Sequence, residues 1–64
     1  MKNFEWVSDW FDVGADRARI VIEKDGEGFL VSSDHGPELG LVPFECADTL
    51  AEAIELASLE VPNA

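Results

Sequence analysis

The fold is decided by residues 18–34, which read ARIVIEKDGEGFLVSSD. The first half of this stretch is rich in β-branched residues and alternates in polarity, a pattern typical of a β-strand. Asp25-Gly26 comes next, and this dipeptide is a strong signal for a two-residue hairpin turn. Residues 29–32 then return as a second apolar strand. The stretch therefore predicts a β-hairpin over residues 17–34.

The turn also determines which residues of the predicted hairpin face each other. A turn centred on Asp25 and Gly26 pairs Lys24 with Glu27, and the pairing continues outward from there. It places four apolar side chains on one face: Ile20, Ile22, Phe29 and Val31. The opposite face is mixed and is expected to be partly exposed; it carries Arg17, Arg19, Val21, Glu23, Leu30, Ser32 and Asp34.

A third strand is predicted over residues 41–46. Pro43 lies inside it and indicates an edge position, because proline has no N–H group for a ladder hydrogen bond. With regular alternation, Val42, Phe44 and Cys46 share one face of this strand.

A C-terminal helix is predicted over residues 48–61. Thr49 and Glu52 fit a capping box, in which a hydroxyl and a carboxylate satisfy backbone amides of the first turn. Pro62 ends the helix. One side carries a helically spaced apolar stripe: Leu50, Ala53, Ile54, Ala57 and Val61. This stripe is expected to pack on the apolar face of the hairpin.

Residues 3–13 are compatible with a helix or with a strand. As a helix they form one apolar arc: Phe4, Trp6, Val7, Trp10 and Phe11. Asn3 would cap this helix and Gly14 would end it. As a strand they divide the same residues between two faces, although aromatic and β-branched residues favour strands. The helix is the favoured prediction.

Together these elements predict one α+β domain over residues 1–64. The prediction is a three-stranded antiparallel sheet, with the C-terminal helix packed on one face and an N-terminal helix within the aromatic and acidic segment 1–16. A chain of 64 residues is long enough for only one small core.

Net charge is the strongest functional signal. Fourteen Asp and Glu against four Lys and Arg give a formal net charge of −10. Such a surplus opposes folding through self-repulsion. It disfavours direct binding to nucleic acid or to an anionic membrane, because both need lysine and arginine. Solubility or adaptation to salt is the simple alternative explanation for the charge.

No residue pattern predicts catalysis. Cys46 and His35 are the single cysteine and the single histidine, so they are the only candidates for a nucleophilic pair. Cys46 is expected to be a buried thiol on the apolar face of its strand, and His35 to lie in a solvated loop. No metal-ligand set or cofactor motif is recognisable. We therefore expect a protein that is not an enzyme and that holds no cofactor or metal.

From Ala18 to Ser58 the chain resembles the HicB-like antitoxin domain. The matching motifs are residues 20–32 and residues 48–54, joined by a proline-containing loop. The resemblance implies a β-β-β-α core, and it implies an antitoxin that neutralises a small ribonuclease toxin. Ala47 stands where the family usually has glycine.

In size and charge the chain also resembles small phage anti-CRISPR proteins that mimic DNA. The leading expectation is an acidic inhibitor that blocks the basic nucleic-acid-binding site of a CRISPR surveillance complex. The antitoxin is the second expectation, and a small enzyme or metal-binding module is the third. The candidate partner-binding residues form two acidic rows. One row lies on the C-terminal helix, with Asp48, Glu52 and Glu55, and the other lies on the N-terminal segment read as a helix, with Glu5, Asp9 and Asp12.

The partner is accordingly expected to be a basic CRISPR effector subunit or toxin. Trp6 and Trp10 are expected in the core, with a role as interface anchors as the alternative. The sequence has no signal peptide pattern and no apolar run of membrane-spanning length. A cytoplasmic protein is therefore expected, as a monomer rather than a dimer.

Overall fold

The computed structural model describes residues 3–62. These form an antiparallel sheet of five strands and one C-terminal helix. The elements are β1 (Trp6–Val7), β2 (Phe11–Val13), β3 (Asp16–Asp25), β4 (Gly28–Asp34), β5 (Leu41–Ala47) and α1 (Leu50–Glu60). The strand order is β1-β3-β4-β5, and β2 also pairs with β3. The α+β class is confirmed, but the sheet has two more strands than predicted.

The β3–β4 hairpin is present with a register two residues away from the predicted one. Asp25 pairs with Gly28, so the turn residues are Gly26 and Glu27. Gly26 has a φ of 62°, in the left-handed region that favours glycine. Because the shift is an even number of residues, every side chain keeps its predicted face.

The prediction of an N-terminal helix is wrong, because this segment forms two short strands along β3. β1 pairs Trp6 with Ile22, and β2 pairs Phe11 with Ala18. The two registers differ by one residue, which indicates a bulge between the strands. In an unbroken strand Trp6 and Phe11 would point to opposite faces, but the bulge lets both pack against the core.

Ser8 completes the ladder at this bulge. Its amide donates a hydrogen bond to the Ile20 carbonyl at 2.9 Å. Its hydroxyl oxygen accepts the return hydrogen bond from the Ile20 amide at 2.8 Å, where a regular ladder would use a backbone carbonyl. The same hydroxyl donates to the Asp9 carbonyl at 3.0 Å. A side chain therefore satisfies the backbone of β3 at the point where its neighbour is irregular.

The core lies between α1 and one face of the sheet. Its buried members are Ile20, Ile22, Val31, Ala47, Ala53 and Ala57. Larger side chains pack around this cluster: Trp6, Phe11, Phe29, Leu50, Ile54, Leu56 and Val61. The predicted packing of the helical stripe on the apolar face of the hairpin is confirmed. Because Ala53 and Ala57 are the fully buried residues of α1, the helix approaches the sheet through small side chains.

Helix α1 begins where the sequence predicts. The Thr49 hydroxyl accepts a hydrogen bond from the Glu52 amide at 3.1 Å, as expected for an N-cap. At the other end, the Val61 amide donates to the Ser58 carbonyl at 3.3 Å, and Pro62 follows.

The second face of the sheet is more buried at its centre than predicted. Val21 is 0% exposed and Ser32 is 1% exposed. The Ser32 hydroxyl has no hydrogen-bond partner among the described residues. On this face the rings of Phe4 and Trp10 lie against the guanidinium group of Arg19. The mixed composition of this face predicted partial exposure. It did not reveal that aromatic residues from the N-terminal segment would pack on the face.

β5 is an edge strand, as Pro43 indicates. The His35 amide donates a hydrogen bond to the Gly40 carbonyl, so these two residues form a hydrogen-bonded pair at the end of the antiparallel β4–β5 ladder. Hydrogen-bonded and non-hydrogen-bonded pairs alternate along such a ladder, so Pro43 and Ser32 form a non-hydrogen-bonded pair. The backbone nitrogen of Pro43 therefore points away from β4. Its missing N–H therefore costs no hydrogen bond in the sheet and removes a donor from the free edge.

The prediction that Val42, Phe44 and Cys46 share one face is wrong. A register shift within the β4–β5 pairing inserts an extra residue into β5. Val42 therefore lies opposite Ser33, whereas Cys46 lies opposite Leu30, and these two partners point to opposite faces. Cys46 is exposed and is not the buried thiol that regular alternation predicted.

Replacing Ser8 by alanine is expected to lower the free energy of unfolding by about 1 to 3 kcal/mol, because the part-buried Ile20 amide loses its acceptor. Urea denaturation measures this change. Ser58→Ala, at an exposed position of α1, is the matched control and should change stability by less than about 0.5 kcal/mol. Equal stability of the Ser8→Ala variant and the wild type would contradict the role of the hydroxyl.

Candidate functional site

Most of the negative charge lies at the surface. Of the 14 Asp and Glu residues, 12 are exposed, Glu23 is half-buried and Asp34 is buried. The exposed ones are Glu5, Asp9, Asp12, Asp16, Asp25, Glu27, Glu38, Glu45, Asp48, Glu52, Glu55 and Glu60. Carboxylates at this density create a field that attracts cationic groups and repels anionic ones.

Two of the basic residues are held by aromatic side chains of the N-terminal segment. The Arg19 guanidinium lies 4.8 Å from the centroid of the Trp10 ring and 5.7 Å from that of Phe4. The Arg17 guanidinium lies 5.4 Å from the same Trp10 ring. The electron-rich ring faces attract these cations. Trp10 is 39% exposed, so it belongs to this cation–aromatic cluster rather than to the core.

A third basic residue is held in the same way at the tip of the hairpin. The Lys24 ammonium lies 4.5 Å from the centroid of the Phe29 ring. The fourth, Lys2, lies outside the described residues. Within residues 3–62 every lysine and arginine therefore contacts an aromatic ring, and Arg17 and Lys24 remain exposed.

Asp34 is the one carboxylate that the fold encloses. Its Oδ2 lies 2.7 Å from Nε of Arg19, and its Oδ1 accepts a hydrogen bond from the Gly36 amide at 3.0 Å. Burial by itself would raise the pKa of Asp34. The hydrogen bonds from Gly36 and Arg19 outweigh burial and hold the pKa below its usual value of 3.8. This ion pair connects β3 to the end of β4 and has a structural role.

Exposed carboxylates converge at a groove between the tip of the hairpin and the start of α1. The groove has a volume of about 290 Å³, and we term it the acidic groove. It is lined by Asp25, Gly28, Phe29, Cys46, Ala47, Asp48 and Glu52. Across residues 3–62 no three His, Cys, Asp or Glu residues stand close enough to hold a metal ion.

Gly28 allows the two sides of the acidic groove to approach each other. A Cβ atom at this position would lie 2.8 Å from the carbonyl oxygen of Ala47, closer than such atoms approach. The next pair along the strands is Phe29 with Ala47. The close approach brings Asp25, near Gly28, to the same groove as Asp48, which follows Ala47.

The start of α1 contributes the other carboxylates. Asp48 precedes the N-cap Thr49, and Glu52 lies in the first turn. The unpaired amides of a helix N-terminus carry partial positive charge, which stabilises carboxylates there. This local effect offsets part of the repulsion between Asp48 and Glu52, which line the same groove.

One of the two predicted acidic rows is a row in the structure. Glu52 and Glu55 are exposed one helical turn apart on α1, and Asp48 lies just before the helix. All three therefore lie around the N-terminal part of α1, and Asp48 and Glu52 line the acidic groove.

The other predicted row does not form. Glu5, Asp9 and Asp12 are exposed, but their spacing was derived from a helix and the segment is extended. Glu5 precedes β1, Asp9 lies at the bulge, and Asp12 pairs with Arg17 in β2. They are separated along a bulged strand rather than aligned on one helical face.

Asp25 is the residue of the acidic groove that sequence reasoning missed. The sequence indicated only a turn residue at this position. Its place in the groove depends on the pairing of β4 with β5, which brings Ala47 beside the hairpin tip. The close contact at Gly28 is the one local signal, because glycine is favoured where two backbones approach.

Cys46 and His35 do not form a nucleophilic pair. Cys46 pairs with Leu30, whereas His35 lies beyond the other end of the β4–β5 ladder, where its amide bonds to Gly40. The five residues from Leu30 to His35 span about 17 Å in an extended chain. His35 is half-buried, with Nε2 2.9 Å from Oγ of Ser33, rather than fully solvated as predicted.

In comparisons with known proteins, no family model, no curated protein and no solved structure matches the chain. Helix α1, at 11 residues, is too short to cross a membrane, and no other helix occurs in residues 3–62.

The Asp34 ion pair predicts a specific dependence of stability on pH. Since the folded pKa lies below the unfolded one, the stabilisation is present above about pH 4 and is lost as the pH falls through the folded pKa. We expect Asp34→Asn to unfold more easily at pH 7 and to lose less stability than the wild type below about pH 4. Urea denaturation across this range measures both effects.

Glu38→Gln is the control for this measurement, because Glu38 is an exposed loop carboxylate. This variant should keep the acid dependence of the wild type. An Asp34→Asn variant whose stability fell with acid as steeply as that of the wild type would show that other carboxylates are responsible.

Proposed function

We propose that the protein is a small acidic inhibitor that mimics nucleic acid and occupies the basic nucleic-acid-binding surface of a partner protein. The observation that carries this proposal is the acidic groove, where Asp25, Asp48 and Glu52 lie together on a chain of net charge −10. Glu55 extends the same negative surface along α1. The proposed target is a CRISPR surveillance complex, since the chain resembles phage anti-CRISPR proteins in size and charge.

A series of exposed carboxylates supports mimicry of a phosphate backbone, which is itself a series of anionic groups. Asp48, Glu52 and Glu55 are exposed at and after the start of α1, and Asp25 lines the same groove as Asp48 and Glu52. A cleft that binds phosphates therefore has the chemistry to accept this surface.

The energetics favour many weak contacts over one strong contact. An exposed ion pair contributes about 0 to 1 kcal/mol, so affinity depends on the number of carboxylates engaged. The same charges accelerate association with a basic surface, and both effects weaken as salt screens them. Strong dependence of binding on salt is therefore inherent in the proposal.

A HicB-like antitoxin is the second candidate. The order β3-β4-β5-α1 agrees with the β-β-β-α core that the resemblance implies, and this agreement favours it. Its target would be a small ribonuclease toxin instead of a CRISPR effector. Both candidates act by occupying a basic surface, and neither requires catalysis, a metal or a cofactor.

The proposal predicts that charge in the acidic groove matters more than total charge. We expect Asp25→Lys/Glu52→Lys to weaken binding to a purified CRISPR surveillance complex by at least about tenfold, or 1.4 kcal/mol. Titration in competition with target DNA, at low and at high salt, measures the effect. Asp12→Lys/Glu38→Lys changes the net charge equally outside the groove and should bind within about threefold of the wild type.

The outcomes separate the candidates. Binding to a ribonuclease toxin but to no CRISPR complex would favour the antitoxin. If the two double variants lost affinity equally, the acidic groove would not be the binding site. If the wild type bound neither partner in dilute buffer, the inhibitor proposal would be wrong.

A further inference from the structure

Helix α1 leaves part of its face of the sheet uncovered. Its 11 residues extend about 16 Å, whereas the ten residues of β3 extend about 34 Å. Near the C-terminal end of α1 the sheet bears a depression of about 410 Å³, which we term the apolar depression. It is lined by Phe11, Val13, Ala18, Ile20, Ser33, His35, Phe44 and Glu60.

The apolar depression has large apolar side chains at the surface. Val13 is 48% exposed and Phe44 is 42% exposed. Val42, which pairs with Ser33 at the same end of the sheet, is 49% exposed. Single exposed apolar residues are common, but a contiguous group around a concavity marks an interaction site.

We propose that the apolar depression binds the apolar side chains of a basic amphipathic segment of the partner protein. This inference rests on the proposed function and adds a second contact to the acidic groove. Glu60 lines the depression, and the exposed Asp16 pairs with Val13 beside it. His35 is the other titratable group of the lining, and its ring is hydrogen-bonded to Ser33. The surroundings therefore favour lysine or arginine next to the inserted side chains.

A second copy of the chain fits this surface poorly. Two copies would each bring a net charge of −10 into contact, and like charges repel. The nearby free edge of β5 is also a poor template for pairing, because Pro43 removes one of its outward donors. Charge complementarity therefore selects a basic partner over self-association.

The size of an ordinary interface supports two contacts. A stable complex buries about 800 Å² on each partner, and the described chain exposes 4557 Å² in all. Exposed ion pairs contribute little each, so carboxylates alone give steering and weak affinity. In most interfaces, a few buried apolar or aromatic side chains give the larger share of the binding energy. The acidic groove and the apolar depression lie near opposite ends of α1, which is about 16 Å long.

Two synthetic helical peptides test the inference on the full-length protein. Both carry the same number of lysines; one has leucines at helical spacing, and the other has serines at those positions. We expect the wild type to bind the leucine peptide at least about tenfold more tightly in calorimetry. NMR shift changes specific to the leucine peptide should centre on Val13 and Phe44. Val13→Ser/Phe44→Ser should bind both peptides equally.

The control variant is Leu39→Ser, because Leu39 is 67% exposed and does not line the depression. It should keep the preference for the leucine peptide. Circular dichroism verifies folding, and Val13→Ser alone replaces the double variant if that one is unfolded.

Equal binding of both peptides by the wild type would overturn the inference, as would a preference that survives in the Val13→Ser/Phe44→Ser variant. Dimerisation that this variant abolishes in sedimentation would assign the depression to a second copy and would also overturn it. After any of these three results, the proposed function would still stand if the wild type bound the serine peptide and the Asp25→Lys/Glu52→Lys variant did not.

Discussion

The backbone ladder of β3 is the interaction on which the other elements depend. β3 pairs with β1 on one side and with β4 on the other, and its first residues pair with β2. A chain of 64 residues has little apolar surface with which to order an unpaired segment. The ladder supplies that order, and the Ser8 hydroxyl maintains it through the bulge. Trp6 and Phe11 can then pack around the same core as α1.

The aromatic residues of the chain also determine where the basic side chains lie. Phe4, Trp10 and Phe29 are used to hold cations, so the positive charge of residues 3–62 lies against aromatic rings. Almost all carboxylates remain at the surface without an equal number of interspersed cations. Exposed carboxylates therefore far outnumber exposed cations, of which Arg17 and Lys24 remain at the surface of residues 3–62, and apolar side chains that α1 does not cover lie between them. In so short a chain, an aromatic residue that contacts a surface cation is one that contributes less to the core.

Elements with strong local signals could be predicted from the sequence. The hairpin, the Thr49 cap and the edge position of β5 each depend on residues that are neighbours in the chain. The exact turn could not be predicted, because Asp25-Gly26 and Gly26-Glu27 are both plausible turns, and the contact of Gly28 with Ala47 is long-range. The N-terminal helix was predicted wrongly for a related reason. Phe4, Val7 and Phe11 recur at spacings of three and four residues, which is a helical pattern. The structure instead has a bulged strand, and the bulge brings Trp6 and Phe11 to one face. Asp25 was missed as part of the groove because strand register decides its neighbours.

The orientation of Pro43 has a consequence for association between copies of the chain through the β5 edge. An inhibitor of the proposed kind would act by occupying its target, so it would have to be at least as abundant as that target. High abundance favours growth of cross-β fibres from any free strand edge with a full set of donors and acceptors. With a proline at the centre of β5, each new strand would lose a hydrogen bond at every step of fibre growth. Pro43 therefore disfavours fibre growth from the β5 edge of the sheet.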